Sequence, residues 1–173
     1  MEYAHVTHTF GPVFDENSKI LILGSFPSVK SREINFYYGH PQNRFWKVLA
    51  GIYGQQLWQT TGQKRAFLLE HKIALWDVIA SCEIEGSQDS SIKAVKANDL
   101  GVVLGGAPIE KILLNGGKAY ELFLKYCQKE GMPPAVKMPS TSPANAAFRL
   151  ERLIEVWSRE LTGKLKCLSQ SPV

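Results

Sequence analysis

Short aliphatic runs alternate along the chain with longer stretches in which apolar residues recur every three or four positions. Lys19-Ile-Leu-Ile-Leu-Gly24 is nearly continuous and stops at a glycine, the pattern of a strand covered on both faces. Ile73 to Val78, Lys111 to Leu114 and Ala135 to Met138 repeat it in shorter form. From Pro41 onward, Phe45, Trp46, Val48, Leu49 and Ile52 form a helical stripe, with Pro41 suited to the first turn. Gly62 to Lys72 and Gly117 to Lys129 read as further helices, the second with Leu122, Phe123 and Tyr126 on one side. The last helix is predicted to be capped by Ser142, with Pro143 in its first position and a stripe of Leu150, Leu153, Ile154, Trp157 and Leu161. Strand–helix alternation of this kind predicts an α/β protein, a three-layer α/β/α sandwich with a short, mostly parallel central sheet. One domain over residues 1–161 and a short, loosely held tail over 162–173 are expected.

Composition narrows the class without naming a function. The 173 residues are 45% hydrophobic and 21% charged, enough for one core and unlike a disordered chain. No apolar run approaches the roughly 18 residues of a membrane helix. The start, MEYAHVTHTFGPVF, lacks a basic region followed by an apolar stretch, so no signal peptide is expected. Cys82, Cys127 and Cys167 show no C-x-x-C spacing and the four histidines are dispersed, which supports neither a disulfide framework nor a zinc cluster. The thiols are expected to be inert, in a reducing, intracellular and cytoplasmic setting. A net charge of +4 and a pI near 8.9 suit a polyanionic partner but do not identify one.

In open parallel sheets, ligands bind beyond the carboxyl ends of the strands. Three segments follow predicted strands: Gly24-Ser-Phe-Pro-Ser28, Asn115-Gly-Gly-Lys118 and Pro139-Ser-Thr-Ser-Pro-Ala-Asn145. Neither a G-x-x-x-x-G-K-[ST] nor a G-x-G-x-x-G loop occurs, and no G-x-S-x-G elbow marks a serine nucleophile. After the first segment comes Asn35-Phe-Tyr-Tyr-Gly-His-Pro-Gln-Asn-Arg-Phe-Trp46. Its aromatics read either as core or as a platform on which an unstacked base can lie.

Taken together, Gly-x-x-Pro-Ser after an apolar strand and His-Pro-x-Asn-Arg-Phe-Trp downstream resemble the uracil-DNA glycosylase superfamily. With Ser-Phe in the first loop and Met-Pro-Ser-Thr-Ser-Pro-Ala-Asn near the end, the string is most similar to the hypoxanthine-DNA (DNA-deoxyinosine) glycosylases, over roughly Phe10 to Leu161. The resemblance implies an enzyme that flips a deaminated nucleotide out of DNA and hydrolyses its N-glycosidic bond, leaving an abasic site. Such a bond breaks through an oxocarbenium-like sugar, so a positioned water and stabilisation of the departing base carry most of the chemistry. No metal or organic cofactor is implied. The implied partner is DNA containing deaminated bases, with no membrane role and a monomeric protein.

Two positions depart from related branches. Phe26 stands where the mismatch branch has a water-orienting Asn, and Met138 where several branches place a His. Neither side chain can do that hydrogen bonding well. Asn43 is therefore the implied catalytic residue; the plainer alternative is that it only caps or braces its loop. Tyr38 falls at the position of the ring that stacks on the flipped base, with Gly24, Ser25, Phe26 and Pro27 lining the other side. Asn115 can present donor and acceptor to a base, or cap the helix after it. Asp77 can accept from a base N1–H, or cap the next turn. Ser28, Arg44, Pro139, Ser140, Thr141, Ser142, Pro143 and Asn145 are the implied DNA contacts, with Lys30, Arg32 and Arg149 as lesser phosphate candidates. His5 and His8 have no acidic partner nearby in sequence and read as structural or surface residues; His40 reads as a brace. The competing functions are excision of uracil, mismatched thymine or xanthine, a non-catalytic binder of damaged DNA, and a small-molecule hydrolase on a flavodoxin-like sheet.

Overall fold

The computed structural model describes residues 2–164. The four aliphatic runs form one parallel sheet: β2 (Ile20–Gly24), β3 (Ile73–Asp77), β6 (Lys111–Asn115) and β7 (Ala135–Met138), in the order β3-β2-β6-β7. In β2 and β3, all but Ile20 are buried, which is why those segments read as continuous rather than alternating. At the β3 edge a two-bond bridge between Val13 and Leu75 occupies the middle of the strand.

Helices α1 (Val29–Ile34), α2 (Phe45–Tyr53) and α3 (Thr61–Glu70) connect β2 to β3, while α5 (Gly117–Tyr126) connects β6 to β7. These two crossovers run in opposite directions across the sheet, so their right-handedness puts α1–α3 on one face and α5 on the other. The final helix, α6 (Leu150–Thr162), packs on α2, with Trp157 edge-on to Phe45. This is the expected three-layer arrangement.

A second, three-stranded antiparallel sheet is not anticipated by the aliphatic pattern. It consists of β1 (Ala4–Thr7), β4 (Ile79–Ile84) and β5 (Lys93–Ala97), in the order β1-β4-β5. Only Val78 separates β3 from β4, so this sheet grows directly out of the end of β3. A short helix, α4 (Gly101–Leu104), leads from it to β6.

Both proline-based helix starts are corrected. Pro41 and Pro143 begin turns, closed by Asn43 N–H to His40 O (3.0 Å) and Asn145 N–H to Ser142 O (3.0 Å), as suits proline at the second position of a turn. The helices start only at Phe45 and Leu150. Ser142 therefore caps no helix; its Oγ accepts from Ala144 N–H within the turn. The predicted tail begins one residue inside α6, whose end is capped by Gly163 at φ 71°; its residues from 165 on, Cys167 included, lie outside the described residues. Cys82 and Cys127 are buried, and desolvation raises both thiols, Cys82 to about 11, as inert thiols require. No helix among the described residues is long and apolar enough to cross a membrane.

Candidate active site

Sheet register brings the functional segments together. Gly24 is paired with Asp77 on one side, Leu23 with Leu114 on the other, and Asn115 with Met138 beyond that. The ends of all four parallel strands therefore share one rim, as sites on open parallel sheets require. The segment after β2 and the segment after β7 face each other across a cavity of about 240 Å³, just under the usual range of roughly 300–1,000 Å³ for drug-sized ligands. Its wall contains Gly24, Ser25, Phe26, Pro27 and Ser28 from the first loop, then Tyr38, Asn43, Asp77 and Asn115, and Ser140, Thr141, Ser142 and Pro143 from the late loop.

The deep end is polar and tightly built. A methyl group on Gly24 would lie 2.5 Å from Asp77 Oδ1 and 3.0 Å from Tyr38 Oη, so only glycine lets these two atoms reach the strand end. Tyr38 holds the left-handed backbone (φ 53°), and its ring stacks on Phe45 with centroids 4.0 Å apart. Its Oη is buried without a hydrogen-bond partner of good geometry. Desolvation, then the nearby Asp77 charge, pushes the phenol upward, with the Asn115 amide acting in the opposite direction; the group is a neutral hydroxyl.

Asp77 is 3% exposed and does not cap a turn with its side chain. Its Oδ2 lies 2.8 Å from His8 Nε2, which donates when the proton sits there. The pair corrects the reading of His8 as partnerless: the two residues are 69 positions apart, and β1 pairing on β4 delivers the imidazole.

Asn43 sits at the start of α2, where its Oδ1 accepts from Phe45 N–H (2.9 Å). The same oxygen accepts from Thr141 Oγ1 (2.9 Å), and Thr141 Oγ1 in turn accepts from Asn115 Nδ2 (3.0 Å). Asn115 Oδ1 accepts from Thr141 N–H (3.0 Å). Two donors thus hold the Asn43 oxygen against α2 and the late loop and leave its NH₂ group as the donor for the pocket. Asn43 is at once a helix brace and a presented donor. Asn115 does not cap α5; it gives one N–H to Thr141 and accepts from it, lines the cavity wall, and keeps its second N–H.

Two expected DNA contacts are also corrected. Thr141 is fully buried, its hydroxyl consumed by the two asparagines, so it cannot touch a phosphate. Arg44 turns its guanidinium onto the late loop, donating to the carbonyls of Thr141 (3.4 Å), Ser142 (2.8 Å), Asn145 (3.0 Å) and, most closely, Phe148. Four carbonyls around one fork are an internal brace. The loop is further tied by Trp157 Nε1–H to Pro139 O (3.0 Å) and Asn145 Nδ2–H to Ser140 O (3.0 Å). Pro139, Arg44 and Asn145 lie outside the cavity wall. Ser28 caps α1 through its Oγ, which accepts from Ser31 N–H (3.1 Å).

Other wall residues are not anticipated by the sequence: Ser31, Ser87 and Asp89. Asp89 Oδ1 accepts from Ser25 Oγ (2.8 Å) across 64 positions of sequence. As a residue it is exposed, but its carboxyl faces the wall, where desolvation raises its pKa; Ser25 and Lys118 oppose that and Asp77 adds to it. The missed signal was weak, one acidic residue in a polar connection. Met138 is buried beneath the rim and is not part of the wall.

Residues 12–160 match the family model of the uracil DNA glycosylase superfamily. A hypoxanthine DNA glycosylase from Methanosarcina acetivorans is 40% identical over 148 residues, covering 83% of this chain and 90% of that one. Another hypoxanthine DNA glycosylase, from Methanosarcina barkeri, is 43% identical over 110 residues, covering 63% and 70%. A uracil DNA glycosylase candidate from M. acetivorans, solved by solution NMR, superposes with a TM-score of 0.73 at 36% identity, over 88% of this chain and 96% of that one.

Proposed function

The chain belongs to the uracil DNA glycosylase superfamily, and on that premise we propose that it is a monofunctional DNA-deoxyinosine glycosylase. It takes a deaminated nucleotide turned out of DNA, hypoxanthine in preference to uracil, xanthine or mismatched thymine, hydrolyses the N-glycosidic bond and leaves an abasic site. The observation that carries this reading is the shared cleft of the two loops, with one asparagine amide held so that only its donor faces inward.

In this reading, the free face of Tyr38 stacks on the base, since its other face lies on Phe45. The base edge meets the Asp77 carboxylate at the deep end. That acceptor complements the N1–H of hypoxanthine, where adenine presents an acceptor of its own. Asn43 Nδ2 donates to charge that builds on the departing base; such a preorganised donor contributes about 10²–10³ in rate. Ser28, Ser140, Ser142 and Pro143 at the rim face the DNA. Among the described residues no lysine lines the cavity, so no Schiff base forms and strand cleavage is not part of the reaction.

Base-release analysis on duplexes carrying inosine, uracil, xanthine or a thymine mismatch, at matched salt, tests this. Hypoxanthine should be released fastest, and Asn43→Ala should slow release by about 100-fold or more while DNA affinity persists. Uracil release far exceeding hypoxanthine release overturns the preference. Binding of inosine DNA with no base released would make the protein a damage binder.

A further inference from the structure

Hydrolysis needs an acceptor for the proton of the attacking water as well as a donor for the base. Most side-chain acceptors on the cavity wall are already engaged. Asn43 Oδ1 already holds two donors, and Asn115 Oδ1 holds Thr141 N–H. His40 Nδ1 accepts from Gln42 N–H (3.1 Å), which leaves its Nε2 to carry the ring proton. Asp77 is 3% exposed, bound to His8, and packed against the deep end at Gly24, where the base edge rather than solvent arrives. Phe26 offers no polar atom. Asp89 differs from all of these. Its Oδ1 is fixed by Ser25 Oγ, no side chain among the described residues claims its Oδ2, and the residue is open to water.

We propose that Asp89, carried in from the β4–β5 connection, is a second catalytic residue: the general base for the attacking water. This rests on the reading that the cleft hydrolyses an N-glycosidic bond. As the C1′–N9 bond breaks, its electron pair leaves with the purine. Water oxygen then bonds to C1′, one water proton passes to the Asp89 carboxylate, and the other stays on the new C1′ hydroxyl. Asp89 returns its proton to solvent and the base anion takes one up, so the net consumption is one water. Ser25 holds the carboxylate against the first loop, which gives one oxygen a fixed position and aims the other. The antiparallel sheet thereby has a task in the chemistry: it supplies a base that the parallel sheet does not.

The discriminating variant is Asp89→Asn. Its carbonyl still accepts from Ser25 Oγ, so a merely structural Asp89 is replaced without effect, whereas a base is lost. Single-turnover release of hypoxanthine should fall by at least about 100-fold for Asp89→Asn, with DNA affinity and melting temperature unchanged. The wild-type rate should decline as the pH falls through a value above that of an ordinary aspartate, because the protonated carboxyl cannot accept, and this acid limb should vanish in the variant. The neighbouring charges on that profile are Asp77 with its His8 partner, and Lys118. Asp89→Asn releasing base at the wild-type rate, or retaining the acid limb, overturns the assignment while leaving the glycosylase reading intact. A wild-type protein that releases no base from any of the four duplexes overturns both.

Discussion

The hydroxyl of Thr141 is the joint between Asn43 and the late loop, and its removal gives a quantitative test of how the donor is aimed. Thr141→Val keeps nearly the same shape and deletes two hydrogen bonds, one from Asn115 Nδ2 and one to Asn43 Oδ1. In the wild type, flipping the Asn43 amide forfeits two bonds at its oxygen, from Phe45 N–H and from Thr141. In the variant it forfeits one. A net hydrogen bond contributes about 1 kcal/mol, so the bias toward the productive amide orientation weakens about fivefold. Stability falls by about 1–3 kcal/mol, because Asn115 Nδ2 loses its partner in a partly buried site. One remaining bond still keeps about five-sixths of the amides productive, so single-turnover release of hypoxanthine should slow by less than about twofold, and DNA affinity should likewise stay within about twofold, since Thr141 is fully buried and cannot reach the nucleic acid. The loss should appear instead in the melting temperature, and Thr141→Ser, which keeps the hydroxyl, should restore it. A Thr141→Val protein as stable as the wild type, or a folded one slowed about fivefold or more, refutes the idea that two bonds at its oxygen fix the Asn43 amide.

Tyr38→Phe removes a buried hydroxyl without a hydrogen-bond partner of good geometry and keeps the stacking ring, so it should raise stability by about 1 kcal/mol, or about 2–4 °C in Tm, while hypoxanthine release stays within about threefold. Thermal melts paired with single-turnover kinetics check this; a loss of stability, or a tenfold slower release, goes against it. Arg44→Lys replaces a fork spanning four carbonyls with a single ammonium and should cost about 2–4 kcal/mol. Hydrogen exchange should then speed up selectively over residues 139–148, and a uniform increase across the sheet would show that the brace is not local.

The parallel sheet is legible in the sequence because strands covered on both faces carry apolar residues in succession, as at 20–23, 73–76 and 112–114, with a shorter stretch at 135–136. The antiparallel sheet is not, because β1 is largely exposed and β4 alternates, so their side chains carry no comparable run. Prolines 41 and 143 mark segment boundaries correctly but not their type, since one residue suits a helix start and a turn equally well. The cavity wall follows from strand order, which is why most of its members can be named in advance. What the chain hides is where its polar side chains go: His8 with Asp77, Ser25 with Asp89 and Arg44 with Phe148 join residues 69, 64 and 104 positions apart. Spacing along the chain gives no hint of such pairs. Arg44 and Thr141 read as DNA contacts for that reason, because basic and hydroxyl residues near a binding loop look the same whether they face out or in.

The brace formed by Arg44 has a thermodynamic corollary. A loop already tied at four carbonyls gives up little conformational freedom when a nucleotide enters, so occupancy demands no reshaping of the receptor. The principal cost of engagement then falls on the double helix, which must unpair and unstack one of its own residues. Lesions whose pairing is already weak are favoured at that step, before any contact within the cleft has discriminated between them.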